Sequence, residues 1–173
     1  MGFGAPQTDF DVIIIGGGPS GLMAAIAAAG EGARTLLLDK GDRLGRKLAI
    51  SGGNVTNNKP LSELLANVPG NPKFLYSALT QFGPADIVQF FEGLGIRLKE
   101  DDHGRMFPMS DKASTVVEVL VRQVQALGTT IWLNTPVSNL VHRDARLTLM
   151  LADDKRRLAA PAVIVASGGT RVP

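Results

Sequence analysis

The densest apolar run in the chain is at residues 12–15, four β-branched side chains in succession from Val12 to Ile15. A strand with one wet face alternates apolar with polar positions, so an unbroken run reads as a short strand buried on both faces. Residues 16–21 break the pattern with three glycines, a proline, a serine and a fourth glycine, and residues 22–29 return to alanine and leucine, which suits a helix packed tightly on a sheet. A second buried run at 33–40 loses its apolar character after Leu38 and carries Asp39 at its end. Residues 41–58 have no period. Two short helices are predicted at 72–82 and 84–94, each opened by a proline. Phe74, Leu75, Leu79, Phe82, Ile87, Phe90 and Phe91 give them an apolar stripe expected in the core. Residues 96–110 read as two short strands around an acidic turn. A helix follows at 112–127, with Val116, Val117, Leu120, Val124 and Leu127 on one side and Ser110 or Asp111 as its cap. Strands are predicted at 129–134, 136–143 and 146–153, the last two joined as a hairpin at Asp144 and Ala145, and a final buried strand at 162–167 leads into Gly168.

This order predicts an α/β domain with a Rossmann-like fold. Its mostly parallel sheet is built from the runs at 12–15 and 33–40 and the strands around Ile131 and Val163, with an antiparallel β-meander as one crossover. Ligands of such sheets lie outside the carboxyl ends of the strands, and Gly16, Asp39 and Gly168 all follow strand ends.

Gly16, Gly18 and Gly21 have the G-x-G-x-x-G spacing at a strand-to-helix junction. In that context Gly16 permits the tight turn, Gly18 lets a diphosphate approach the backbone, and Gly21 brings helix and strand together. The diphosphate would sit at the helix N-terminus, where free N–H groups and the dipole favour an anion, with the Ser20 hydroxyl beside it. A glycine turn without ligand is the alternative. Asp39 lies 18 residues beyond Gly21, where the dinucleotide fold places a carboxylate on ribose hydroxyls. An acid there disfavours a 2′-phosphate and so argues against NADP; otherwise Asp39 is a solvated strand end. The motif does not choose between NAD and FAD. Residues 41–58 read equally as a loop closing over a cofactor, with Arg46 and Lys47 on phosphate and Asn54, Thr56 and Asn57 as hydrogen-bonding groups, or as a surface loop.

Composition narrows the class. At 173 residues and 45% apolar content the chain supports one domain with a real core. A net charge of +2 with scattered basic residues calls for neither nucleic acid nor an anionic membrane. The absence of cysteine removes disulfides and thiolate chemistry and fits a reducing, cytoplasmic setting. Residues 12–29 approach a membrane span in length, but the glycine, proline and serine positions interrupt them, so no transmembrane helix or signal peptide is expected. Residues 1–9 read as a loose leader. His103 and His142 stand far apart without a third ligand, so no metal site is expected. Glu100, Asp101 and Asp102 read as a solvated turn.

Four stretches, DVIIIGGGPSGLMAAIAAA, LLLDKGDRLGRKLAISGGNVTNN, DDHGRMFPMSDKASTVVEVL and AVIVASGGTRVP, together resemble the BaiN-type, aminoacetone-oxidase-like family of NAD(P)/FAD-dependent oxidoreductases. The match runs in order over nearly the whole chain, and GRKLAISGG with NVTN and GRMFPMSDKAS are its most specific parts. The resemblance implies FAD at the first glycine motif, with Gly16, Gly18, Pro19, Ser20 and Gly21 in contact with it and Asp39 and Lys40 at the adenosine ribose. It further implies Arg46, Lys47, Gly52, Gly53 and Asn54 from the second loop, the backbone of Val137 against adenine, and Ala166, Ser167, Gly168 and Gly169 beside the cofactor. Two departures stand out. Family members carry Gly-Arg-Cys between the second glycines and the Asn-x-Thr-Asn, whereas Gly53 here runs directly into Asn54. Members also continue past the second glycine pair through an inserted domain and a returning segment, so the chain is expected to be the N-terminal FAD-binding part. The implied function is hydride transfer between a nicotinamide or organic substrate and FAD, with NAD(P)H a candidate electron donor and no catalytic residue assigned. The alternative is a non-catalytic dinucleotide-fold module that binds nucleotide weakly or self-associates through surface left bare by truncation.

Overall fold

The structure is a computed structural model and describes residues 9–143, 146–152 and 156–169. Of the expected leader only Asp9 lies among them, and the expected turn at Asp144 and Ala145 lies outside the described residues. In chain order the elements are β1 (Val12–Ile15), α1 (Pro19–Gly30), β2 (Thr35–Leu38), α2 (Arg46–Ala49), β3 (Thr56–Asn57), α3 (Leu61–Ala66), α4 (Lys73–Gln81) and α5 (Pro84–Gly93). They continue with β4 (Leu98–Glu100), β5 (Arg105–Pro108), α6 (Ala113–Ala126), β6 (Thr130–Trp132), β7 (Val137–Arg143), β8 (Arg146–Leu151), β9 (Arg157–Ala160) and β10 (Ala162–Val165). The chain gathers into two compact units, one running to Lys47 and resuming at Leu120, the other spanning Leu48–Val119. The sequence had suggested no division between them.

The first unit holds a four-stranded parallel sheet in the order β10-β1-β2-β6. Ile13 lies between Val163 and Leu36, and Leu37 beside Ile131, so the four predicted strands do form one sheet. Ile13 and Ile14 and the whole of β2 are buried, as unbroken apolar runs in the middle of a sheet require. Each such Leu or Ile contributes roughly 1.5–3 kcal/mol on removal from water. The expected burial of the last strand needs correction: β10 is an edge strand, and Ile164 and Val165 are exposed. α1 packs on β1, β2 and β10. It begins three residues before the expected start, because Pro19 occupies its first turn and needs no backbone partner there.

The link from β6 to β10 is the expected antiparallel meander, β7-β8-β9. Its Leu149, Leu151, Leu158 and Ala160 form one cluster with Ile13, Leu36 and Leu38, so the meander buries apolar sheet surface as a crossover helix would. β9 is an addition to the predicted elements. Its RLAA sequence has neither alternation nor β-branched residues, yet Leu158, Ala159 and Ala160 are buried against neighbours far away in sequence.

The second unit contains α3, α4, α5 and a three-stranded antiparallel sheet in the order β3-β5-β4. Here the expected core stripe needs correction. Phe91 is buried, but Phe74 is 81% exposed and Phe82 41%. On a helix as short as α4, Leu75 and Leu79 share one face at i,i+4 and stay partly covered, while Phe74 is turned about 100° away from Leu75. Phe82 keeps an edge-on contact with Phe90, which does the same with Phe91. Residues 41–58 are also more ordered than their lack of period suggests, since they contain α2 and β3.

Candidate functional site

The site grows from the turn between β1 and α1. Gly16 has φ of 108°, a left-handed value that side chains resist, and a Cβ added to it would lie 2.5 Å from the Ala166 carbonyl oxygen. Its N–H donates to the Leu38 carbonyl at 2.7 Å, while the Ala166 N–H donates to the Ile15 carbonyl at 2.8 Å. Gly21 is buried behind the turn, and a Cβ there would collide with the Gly16 carbonyl oxygen. Thus Gly16 and Gly21 are required by the protein's own close packing.

Gly18 is different. Its φ of −77° and ψ of −174° suit any residue, and a Cβ would find no atom within 4 Å. It is the N-cap of α1, where no side chain caps the free N–H groups and the first turn holds no acidic residue. Neither neighbouring atoms nor backbone angles call for glycine here, and its modest merit as a helix cap is shared by Ser, Asn and Asp, whereas an anion seated on that helix end needs the space.

Sequence reasoning passed over Gly17, the residue between two motif positions. It is buried, and a Cβ would collide with the Leu44 side chain and come 3.0 Å from Asp39 Oδ2. Its N–H donates to Asp39 Oδ2 at 2.6 Å, and its carbonyl accepts from the Gly45 N–H at 2.8 Å. Asp39 Oδ1 accepts from the Gly41 N–H at 2.7 Å.

These turns border a cleft of about 650 Å³ in the first unit, a size typical of small-molecule sites. Gly16, Gly18, Pro19 and Ser20 line one side; Asp39, Lys40, Arg46 and Lys47 line it from the β2 end. Val137 lines it at the start of β7, and Ala166, Ser167, Gly168 and Gly169 line it after β10. Gly45, which opens the GRKLAISGG stretch but was not among the expected cofactor residues, also lines it, as do Thr135 and Pro136, which no motif marked. Gly45 has a positive φ of 68°. Gly52, Gly53 and Asn54 fall in the second unit and are not among the lining residues. Gly52 and Gly53 have φ of 85° and 84°, and Gly53 lies against the Ala113 backbone, so local conformation accounts for both glycines.

The charges in the cleft suit a ligand that is part anion and part polyol. Lys40, Arg46 and Lys47 supply positive charge, and the exposed ion pair of Arg46 with Asp42 at 3.5 Å is too weak to withdraw Arg46 from that role. The opposite end of the sheet is closed by Asp11, which immediately precedes β1. Its carboxylate accepts from the Arg34 side chain at 2.8 and 3.1 Å and from the Arg34 N–H at 2.9 Å. Those hydrogen bonds, above all the guanidinium's, pull the Asp11 carboxyl down from 3.8 to about 2. Among the described residues no helix is long and apolar enough to cross a membrane.

Comparison with known proteins agrees with this geometry. The HI0933-like protein Rossmann domain matches residues 10–173. The chain is 32% identical over 165 residues to Ribosomal RNA dihydrouridine synthase of Escherichia coli (strain K12), covering 95% of this chain and 40% of that protein. It is 30% identical over 164 residues to the protein of the same name from Haemophilus influenzae, covering 93% and 41%. It therefore spans about 40% of the length of these curated relatives. Among solved structures, 3-ketosteroid-delta4-(5alpha)-dehydrogenase from Rhodococcus jostii RHA1 shares the fold with a TM-score of 0.67 at 17% identity, covering 95% of this chain and 48% of that one. The family agrees with the one the four sequence stretches resemble, and the parallel sheet with its glycine turn is the fold that family requires: the chain belongs to the HI0933-like family of FAD-dependent oxidoreductases, as its Rossmann domain.

Proposed function

We propose that this chain holds the adenosine and diphosphate half of FAD in the cleft of its first unit, as the cofactor-binding portion of a flavin-dependent oxidoreductase. The observation that carries the reading is Gly18, a glycine that neither backbone conformation nor neighbouring atoms explain. In this reading the backbone of Gly16 to Gly18 and the first turn of α1 receive the diphosphate, with Arg46 and Lys47 balancing its charge. An ionised carboxylate has about four acceptor positions. Asp39 uses two of them on Gly17 and Gly41, which leaves acceptors for both ribose hydroxyls. Val137 faces the adenine, and residues 166–169 run toward the flavin-bearing end. When bound, the isoalloxazine ring supplies the redox chemistry, and this chain's part is to place it and shield it.

The whole protein then exchanges a hydride with a nicotinamide, NAD(P)H serving as donor, or with an organic substrate. The near-neutral, scattered charge supports a small-molecule substrate without nucleic acid, and the cysteine-free sequence fits a reducing, cytoplasmic setting. The name of the two relatives supports a second reading, in which the substrate is RNA and residues outside this chain grip it.

The visible spectrum of the purified 173-residue protein tests the proposal. Flavin absorbance, either retained or gained on adding FAD, with FAD identified after heat release, is the expected result. A colourless protein that takes up no FAD overturns it in favour of a non-catalytic module.

A further inference from the structure

Asp39 is tied into the structure by every polar group it has. Its N–H donates to the Trp132 carbonyl at 3.0 Å and its carbonyl accepts from the Thr135 N–H at 2.8 Å. Its two carboxylate oxygens accept the Gly17 and Gly41 N–H groups at 2.6 and 2.7 Å. Two further bonds connect the same segments, from Asn134 N–H to the Gly41 carbonyl and from Gly45 N–H to the Gly17 carbonyl, both 2.8 Å. One side chain thus joins the glycine turn after β1 to the turn after β2, and its own backbone joins both to the segment entering β7. All three border the cleft.

The glycines make this junction consequential. Gly16, Gly17 and Gly18 stand in succession, and Gly41 and Gly45 belong to the facing turn. Glycine loses more conformational freedom on ordering than any other residue. Turns of this composition, left untethered, would be ordered by the ligand at a cost in affinity. A Cβ on Gly17 would strike the Leu44 side chain and crowd Asp39 Oδ2, so glycine lets this N–H close on the carboxylate. The residue after it, Gly18, is the one that leaves room for the diphosphate.

We propose that Asp39 is a positioning residue: its carboxylate holds the glycine turn and the turn after β2 in their binding geometry before any ligand arrives. It therefore strengthens binding of adenine nucleotides that have no ribose hydroxyls. The inference rests on the nucleotide reading of the cleft and adds to the ribose contact, which alone would make Asp39 irrelevant to such ligands.

Asp39→Asn separates the two roles. The amide keeps the size of the side chain but turns an –NH₂ toward one of two N–H donors, breaking one tether. Titrations of the 173-residue protein use ADP and 2′,3′-dideoxy-ADP as probes. With positioning, the variant binds dideoxy-ADP roughly tenfold or more weakly than the unaltered protein, the value of one charge-assisted hydrogen bond. Amide hydrogen exchange at Gly17 and Gly41, measured without ligand, is expected to quicken while that of Ile13, Ile14 and Leu37 stays slow. Unchanged dideoxy-ADP affinity, with the loss confined to ADP, overturns the proposal; so does unchanged exchange at both glycines. If Asp39→Asn does not fold, Asp39→Glu retains charge and acceptors but displaces them, and the same two measurements decide. A protein that binds neither nucleotide refutes the reading of the cleft, and the exchange rates still judge the tether.

Discussion

The two ends of the parallel sheet treat an acidic residue in opposite ways. At the amino end of the strands, Asp11 is held by the guanidinium of Arg34 together with the Arg34 backbone N–H, an ion pair that closes the edge of the fold. At the carboxyl end, Asp39 is held by backbone N–H groups of two glycines, inside a cleft. A cation would occupy the face of the carboxylate that a ligand needs, whereas glycine N–H groups approach from the turns and add no side chain. The same residue type therefore stabilises the fold at one end and serves a site at the other, and the difference lies in its donors.

Three substitutions probe that contrast. Gly21→Ala is expected to act most strongly, because its methyl would drive α1 off the Gly16 carbonyl and dismantle the carboxyl end of the sheet. Urea denaturation should show a loss of about 3 kcal/mol or more, with FAD binding lost together with the fold. Gly18→Val sharpens the contrast by leaving the fold nearly alone. Stability should change by about 1 kcal/mol or less, the cost of a poorer helix cap. FAD affinity should fall at least about a hundredfold, as seen by flavin fluorescence titration. Undiminished affinity would show that the diphosphate does not rest on Gly18.

Asp11→Asn has the smallest expected effect and concerns the other end. The folded-state carboxyl titrates near 2 and the free side chain near 3.8. Its folded value is lowered, so its stabilising contribution is complete above about pH 4 and disappears as the pH falls toward 2. Melting curves should accordingly show the unaltered protein more stable than the variant at pH 5, the gap closing through that window. Binding of FAD at neutral pH should be unaffected. A gap that stayed constant down to pH 2 would mean that the Arg34 pair does not shift Asp11.

Much of the site was readable along the chain because its signals are local. Four β-branched residues, a glycine turn and an alanine-rich helix follow one another within 19 residues, and an acid closes the next strand. Thirteen of the seventeen expected cofactor residues line the cleft, with Gly21 directly behind it. Gly52, Gly53 and Asn54 belong to the second unit, where the positive φ of Gly52 and Gly53 accounts for those two glycines.

Short-range chemistry was therefore decided by the sequence itself: which segments are buried strands, where the chain must turn without side chains, and where a helix begins. Periodicity and allowed φ values depend on a few neighbouring residues, so they can be read in a window. Only the tertiary structure decided that Gly17 meets Asp39 across 22 positions, that residues 48–119 gather into their own unit, that β9 joins the meander, and that Phe74 faces solvent. Those outcomes depend on which distant surfaces compete for the same partner, and that competition is settled only when the whole chain is packed.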